Sequence, residues 1–176
     1  FRDGEGRPFV PTGGTLSSIA SVETGGIAPE LKDVRITAMC DIDNPLYGER
    51  GAAYVFAPQK GASREVVQLL NAGLKHLNET VKRCLGADRA EGRGAGAAGG
   101  MGYGFAAFLG AELKMGIDVV LDAVDFDGLL KGADCVFTGE GRIDSQSLGG
   151  KVVIGVARRA KRRGVPVIAV VGDVGD

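Results

Sequence analysis

The segment Thr138-Gly139-Glu140-Gly141-Arg142-Ile143-Asp144-Ser145-Gln146-Ser147 gathers carboxylates, a guanidinium, an amide and hydroxyls, with Lys151 just beyond. Such groups could bind an organic acid or a phosphate and move a proton. An arginine matches a carboxylate or phosphate in bidentate geometry, a lysine screens phosphate charge, and a carboxylate can orient or deprotonate a hydroxyl. A purely structural role is the alternative. Glu140 and Arg142 could pair with each other, and Asp144 or Ser147 could cap the following helix, because these residue types satisfy orphan amides. The number of polar functions in one connection favours a functional role.

A βαβ unit must position this segment. Asp134-Cys135-Val136-Phe137 reads as a buried strand, a helical pattern covers about residues 151–163, and Val165-Pro166-Val167-Ile168-Ala169-Val170-Val171 reads as a second buried strand. Strands in that order should be parallel and covered by helices. The polar segment then forms a loop at the carboxyl end of a parallel strand, where open α/β sheets bind ligands.

Upstream, residues 1–33 are rich in Gly, Pro and Ser and read as turns and short strands. Residues 34–40 read as a strand ending at Asp41-Ile42-Asp43-Asn44-Pro45, where the proline biases Asn44 away from helix and makes a rigid turn. Residues 52–56 fit a short strand or a helical turn equally. The clearest helix starts after Ser63 as N-cap and runs to about residue 85, with Gly86 as its stop. Val66, Leu70, Leu74, Leu77, Val81 and Leu85 recur at intervals of three and four and give it one core stripe. A further helix is expected over residues 105–113, a strand over 117–121 and a short helix over 126–130. The fold class is therefore α/β. A mixed α/β unit, residues 1–116, is followed by a partial Rossmann-like parallel βαβ unit, residues 117–176.

Gly92 to Gly104 form a second unusual stretch in a chain with 30 glycines. It holds a literal G-x-G-x-x-G at Gly94, Gly96 and Gly99. The dinucleotide fingerprint needs a strand immediately before it, and Gly86-Ala87-Asp88-Arg89-Ala90-Glu91-Gly92-Arg93 is no strand, so a Rossmann NAD site is rejected. Two readings remain. Small residues let backbones approach closely, or the amides of Gly94, Gly96, Gly99 and Gly100 cradle phosphate ahead of a helix from about Gly104. Ser147-Leu148-Gly149-Gly150-Lys151 is a second candidate cradle.

The motif Thr138-Gly-Glu-Gly-Arg-Ile-Asp-Ser-Gln-Ser-Leu-Gly-Gly-Lys151 resembles one found in bacterial glycerate kinases of the glycerate 2-kinase type. Two further blocks resemble the same family in the same order: Cys40-Asp-Ile-Asp-Asn-Pro-Leu-Tyr-Gly48 with Gly51-Ala-Ala-Tyr-Val-Phe-Ala-Pro-Gln-Lys-Gly61, and Gly94-Ala-Gly-Ala-Ala-Gly-Gly-Met-Gly102. The family often has histidine where Gly149 stands and proline where Val153 stands. The resemblance implies phosphorylation of glycerate by ATP with Mg²⁺, in the cytoplasm, and a chain corresponding to the middle portion of a longer two-domain kinase.

In that reading Asp144 is the base or hydroxyl-orienting group, Arg142 clamps glycerate or a phosphate, and Glu140 positions Arg142. Asp43, Asn44, Ser145 and Gln146 bind substrate. Asp41, or alternatively Asp43, holds Mg²⁺ through water, and Lys151 with the glycine segment holds phosphates. The active site is expected between the two units. Two other readings stay open. One is a hydrolase or lyase acting on a small phosphorylated acid, and the other is a folded module without catalysis of its own.

Composition excludes several classes. With a net charge of −1 over 176 residues and no basic cluster interleaved with aromatics, a nucleic-acid surface is not expected. The run Arg158-Arg159-Ala160-Lys161-Arg162-Arg163 reads as a solvated helix end, where cations complement the dipole. Cys40, Cys84 and Cys135 read as reduced core residues of a cytosolic protein. A lone histidine, His76, on the polar side of a helix makes a zinc centre unexpected. No apolar run approaches the ~20 residues a bilayer span needs, so no membrane partner is expected. The oligomeric state is open, with a homodimer one option.

Overall fold

The computed structural model describes residues 1–144 and 152–175, which fall into two units, Phe1–Leu113 and Lys114–Asp176. The division lies a few residues before Gly116.

The first unit begins with irregular chain carrying 3-10 turns at Gly13–Ser18 and Pro29–Asp33, in place of the short strands expected there. Only isolated bridges, from Arg2 to Pro8 and to Ser21, pair this segment with itself. The expected strand over residues 34–40 shrinks to β1, Thr37–Met39. Ala52–Phe56 is a helix, α1, which settles the ambiguity left by its sequence. The longest element is α2, Arg64–Leu85. Ser63 Oγ accepts from Val66 N–H at 3.4 Å, and Gly86 ends the helix in the left-handed region with φ of 69°, as a C-terminal glycine should.

The core stripe of α2 is Val67, Leu74 and Val81, with Leu70, Leu77 and Leu85 half-buried beside it. Each fully buried aliphatic of this kind contributes about 1.5–3 kcal/mol. Val66, expected in the stripe, is exposed, and its neighbour Val67 takes the inward position. The face of α2 that carries Leu70 and Gly73 packs on the first 3-10 turn. Contact there is close: a Cβ on Gly73 would sit 2.9 Å from Leu16 Cβ. His76 is half-buried on this face, its Nε2 2.8 Å from the Ile19 carbonyl, so it holds the N-terminal segment rather than facing water.

The helix expected over residues 105–113 begins earlier. It is α3, Met101–Phe108, so Gly102 and Gly104 lie inside it. The chain then forms β2, Glu112–Lys114, which pairs with β1.

In the second unit, the strand expected over residues 117–121 is a helix, α4, Gly116–Ala123. The β-branched content of Ile117-Asp118-Val119-Val120-Leu121 suggested a strand. However, Asp118 and Asp122 are spaced i, i+4 and share a helix face. After α5, Phe126–Leu129, come β3, Val136–Ile143, then α6, Val152–Arg162, and β4, Val167–Val174. β3 and β4 pair in parallel from Val136↔Val167 to Ile143↔Val174, as the βαβ pattern requires. At Gly155 of α6, a Cβ would come 2.5 Å from Ile117 Cγ1, so this glycine sets how closely α4 and α6 pack.

Arg159 is not a solvated helix end. It is buried on α6, and its Nη2 lies 2.6 Å from Asp122 Oδ1 and 3.5 Å from Asp118 Oδ1. Its Nη1 meets Asp127 Oδ2 at 3.1 Å. One guanidinium thus ties α4, α5 and α6 together. The cysteines are free, but Cys84 and Cys135 are exposed and Cys40 is half-buried, so the expected core placement does not hold. No helix among the described residues is long and apolar enough to cross a membrane.

Candidate active site

Thr138-Gly139-Glu140-Gly141-Arg142-Ile143 is strand rather than loop, forming most of β3. Its strict alternation is the reason. Thr138, Glu140 and Arg142 project to one face and the glycines to the other. The glycines admit the neighbouring strand: a Cβ on Gly139 would collide with the Val170 carbonyl, and one on Gly172 would sit 2.7 Å from the Gly141 carbonyl. The chemistry-bearing side chains therefore stand on a rigid element, with Asp144 just past its end. Ser145, Gln146, Lys151 and the candidate cradle of residues 147–151 lie outside the described residues.

Arg142 does not pair with Glu140. Its Nε lies 3.7 Å from Asp173 Oδ2 and 4.0 Å from Asp144 Oδ2. Asp173 is the partner that sequence reasoning missed. The register Arg142↔Asp173 delivers it, and the signal was hidden because the strand read from sequence ended at Val171. Gly175 donates to the Ile143 carbonyl at 2.7 Å and leaves room for the guanidinium, since a Cβ there would be 2.7 Å from Arg142 Nη2. Arg142 is mostly exposed, whereas Asp144 is about one-quarter exposed at 23%. Arg142 is thus flanked by two carboxylates and stays mostly exposed, where a guanidinium can meet an anion. Glu140 Oε1 is buried with no hydrogen-bond partner among the described residues.

In the first unit, the structure packs the Cys40–Gly48 block against the glycine-rich stretch. Gly96 N–H donates to the Asn44 carbonyl at 2.9 Å, and Leu46 N–H to the Ala90 carbonyl at 2.8 Å. Cβ atoms at these glycines would collide with this turn: Gly94 would come within 2.6 Å of Cys40 Sγ, and Gly96 would strike the Pro45 carbonyl. Gly94 and Gly96 therefore serve close packing. Gly94 has a positive φ as well, 80°, and further along Gly99 and Gly100 stand at 72° and 106°. Ala98, at φ 49°, joins them in a left-handed run ahead of α3, a conformation that turns successive amides toward one side. Nothing lies within 4 Å of a Cβ placed on Gly99.

Asn44 Nδ2 donates to the Arg50 carbonyl at 2.8 Å, and Asp43 pairs with Arg50 at 3.6 Å. Asn44 thus braces its own turn, and Asp43 stays exposed at the surface. Asp41 is exposed as well. Among the described residues, no group of three or more His, Cys, Asp or Glu could hold a metal ion. One exposed carboxylate suits a Mg²⁺ that takes most of its ligands from water and phosphate.

The glycerate kinase family profile matches residues 1–176. The chain is 45% identical over 172 residues to a glycerate kinase of Bacillus subtilis (strain 168), covering 98% of this chain and 45% of the relative. It is 45% identical over 174 residues to a glycerate 2-kinase of Escherichia coli (strain K12), covering 99% of this chain and 46% of the relative. A crystal structure of a Salmonella typhimurium LT2 protein described as a glycerate kinase 2 superposes with a TM-score of 0.83 at 42% identity, over 99% of this chain and 49% of that one. The chain spans about half the length of the relatives it matches. With a profile match along its whole length, the chain belongs to the glycerate kinase family.

Proposed function

We propose that the protein containing this chain transfers a phosphoryl group from ATP to a hydroxyl of glycerate. The observation that carries this reading is the strand-end arrangement of Arg142 with Asp144 and Asp173, in a chain whose relatives are named glycerate kinases. Arg142 takes the substrate carboxylate or a phosphate. Asp144 orients the attacking hydroxyl and accepts its proton as the bond to phosphorus forms. In the left-handed run Ala98–Gly100 the Gly100 N–H is taken by the Ala97 carbonyl, so the amides ahead of it are the ones proposed to meet the nucleotide phosphates. Asp41 is the residue proposed to hold Mg²⁺, which when bound would neutralise charge on those phosphates. The enzyme is proposed to work in the cytoplasm, with ATP and glycerate as its small-molecule partners.

A coupled ADP-release assay with MgATP tests this, run with and without D-glycerate on the full-length protein and on this chain alone. Glycerate-dependent ADP release by the full-length protein is expected. Silence there contradicts the proposal. Activity in the full-length protein but not in this chain would show that catalysis needs the remaining half.

A further inference from the structure

Glu140 has no role left once Arg142 is satisfied elsewhere. It stands on β3 two residues before Arg142, on the same strand face. Arg142 is held by Asp173 and Asp144, so the ion pair that would explain Glu140 is absent. Its Oε1 is nonetheless buried and accepts no hydrogen bond from the described residues. The opposite face of the sheet, with Phe137 and Val170, is the exposed one, so Glu140 projects to the covered side. A buried carboxylate oxygen without a donor is rare in folded proteins because desolvation goes uncompensated. Among the described residues none donates to Glu140 Oε1, and a bound ligand can supply the donor.

We propose that Glu140 accepts a hydrogen bond from the second hydroxyl of the substrate, the one that is not phosphorylated, and so sets the preference for a dihydroxy acid over a monohydroxy acid. This rests on the glycerate reading above and adds a residue that determines specificity. The spacing fits: residues two apart on a strand lie about 7 Å apart. With its carboxylate at Arg142, a three-carbon acid can bring a hydroxyl toward Glu140. Sites that hydrogen-bond a substrate hydroxyl reject analogues lacking it, because the buried acceptor is then left unpaired.

The test is calorimetric titration of the full-length protein with D-glycerate, D-lactate and 3-hydroxypropionate; each analogue lacks one hydroxyl. The wild type should bind glycerate about 10- to 100-fold more tightly than the analogue lacking the hydroxyl that Glu140 reads. Glu140→Ala should weaken glycerate by about that factor while leaving that analogue within about threefold. Where the alanine variant fails to fold, Glu140→Gln keeps the shape and one acceptor oxygen. It should weaken glycerate about tenfold by removing the charge from the bond, again sparing the analogue. A common loss for all ligands, or no loss, overturns the inference. Arg142→Ala separates the two levels. If it leaves all three ligands bound, the strand-end site itself is wrong. If it abolishes binding while Glu140 variants change nothing, only the hydroxyl role is wrong.

Discussion

Arg142 on β3 and Asp173 on β4 stand in register across parallel strands, with Nε 3.7 Å from Oδ2. Both are more than half exposed, at 61% and 65%, and an ion pair of that kind is worth about 0–1 kcal/mol. Its value therefore lies in orientation rather than stability. Asp173→Ala in the full-length protein should leave the melting temperature nearly unchanged and raise the glycerate KM by about three- to tenfold, with kcat within about twofold. Thermal melts with steady-state kinetics check this. Arg142→Lys should not restore function, because an ammonium cannot reproduce the planar fork that a carboxylate engages.

The glycines of the first unit should separate by role. Gly96→Ala drives a methyl into the Pro45 carbonyl and should destabilise the unit by about 1–3 kcal/mol. Gly99→Ala meets open space at φ 72° and should cost about 1–2 kcal/mol of backbone strain. If the amides ahead of Gly100 hold phosphate, Gly99→Ala should also raise the ATP KM. Denaturant melts and ATP titrations on both variants measure the two effects separately.

Arg159 anchors α4, α5 and α6 through Asp122, Asp118 and Asp127. Arg159→Ala strands these carboxylates and opens space in the unit. Because the aspartates are partly hydrated, the cost should be about 2 kcal/mol, below that of breaking a fully buried pair. Urea denaturation of the variant against wild type measures it.

The recognition motif was legible in sequence, and so were the βαβ order and α2 with both its caps. What misled were glycines and β-branched residues read one at a time. Thr138-Gly139-Glu140-Gly141-Arg142 looked like loop because of its glycines, yet its alternation is that of a strand, whose neighbour needs the space at Gly139. Residues 117–121 looked like strand by propensity. Packing of Ile117 on Gly155 and the aspartate pair facing Arg159 overrode that preference, and these contacts join residues ~40 positions apart that no local pattern reveals. Asp173 was illegible for the same reason, since only the register of β4 brings it to Arg142.

Acid should weaken the first unit through Asp88. Hydrogen bonds from Lys82 Nζ at 2.7 Å and Asn78 Nδ2 at 3.2 Å hold its pKa below the ordinary carboxylate value. Because the folded value is depressed, the stabilisation is complete above the unfolded pKa of about 4 and is lost as pH falls through the folded value. Melting temperature against pH should be flat from about pH 7 to 5 and fall below about 4. Asp88→Asn should lower the plateau and shallow the fall.

The strand-end site is tested most directly by Asp144→Asn in the full-length protein, with glycerate-dependent ADP release measured beside a thermal melt. Loss of turnover by about 100-fold or more, with the melting temperature of the wild type, is expected if Asp144 handles the attacking hydroxyl. Near-normal turnover by a folded variant would remove Asp144 from the chemistry and contradict the site.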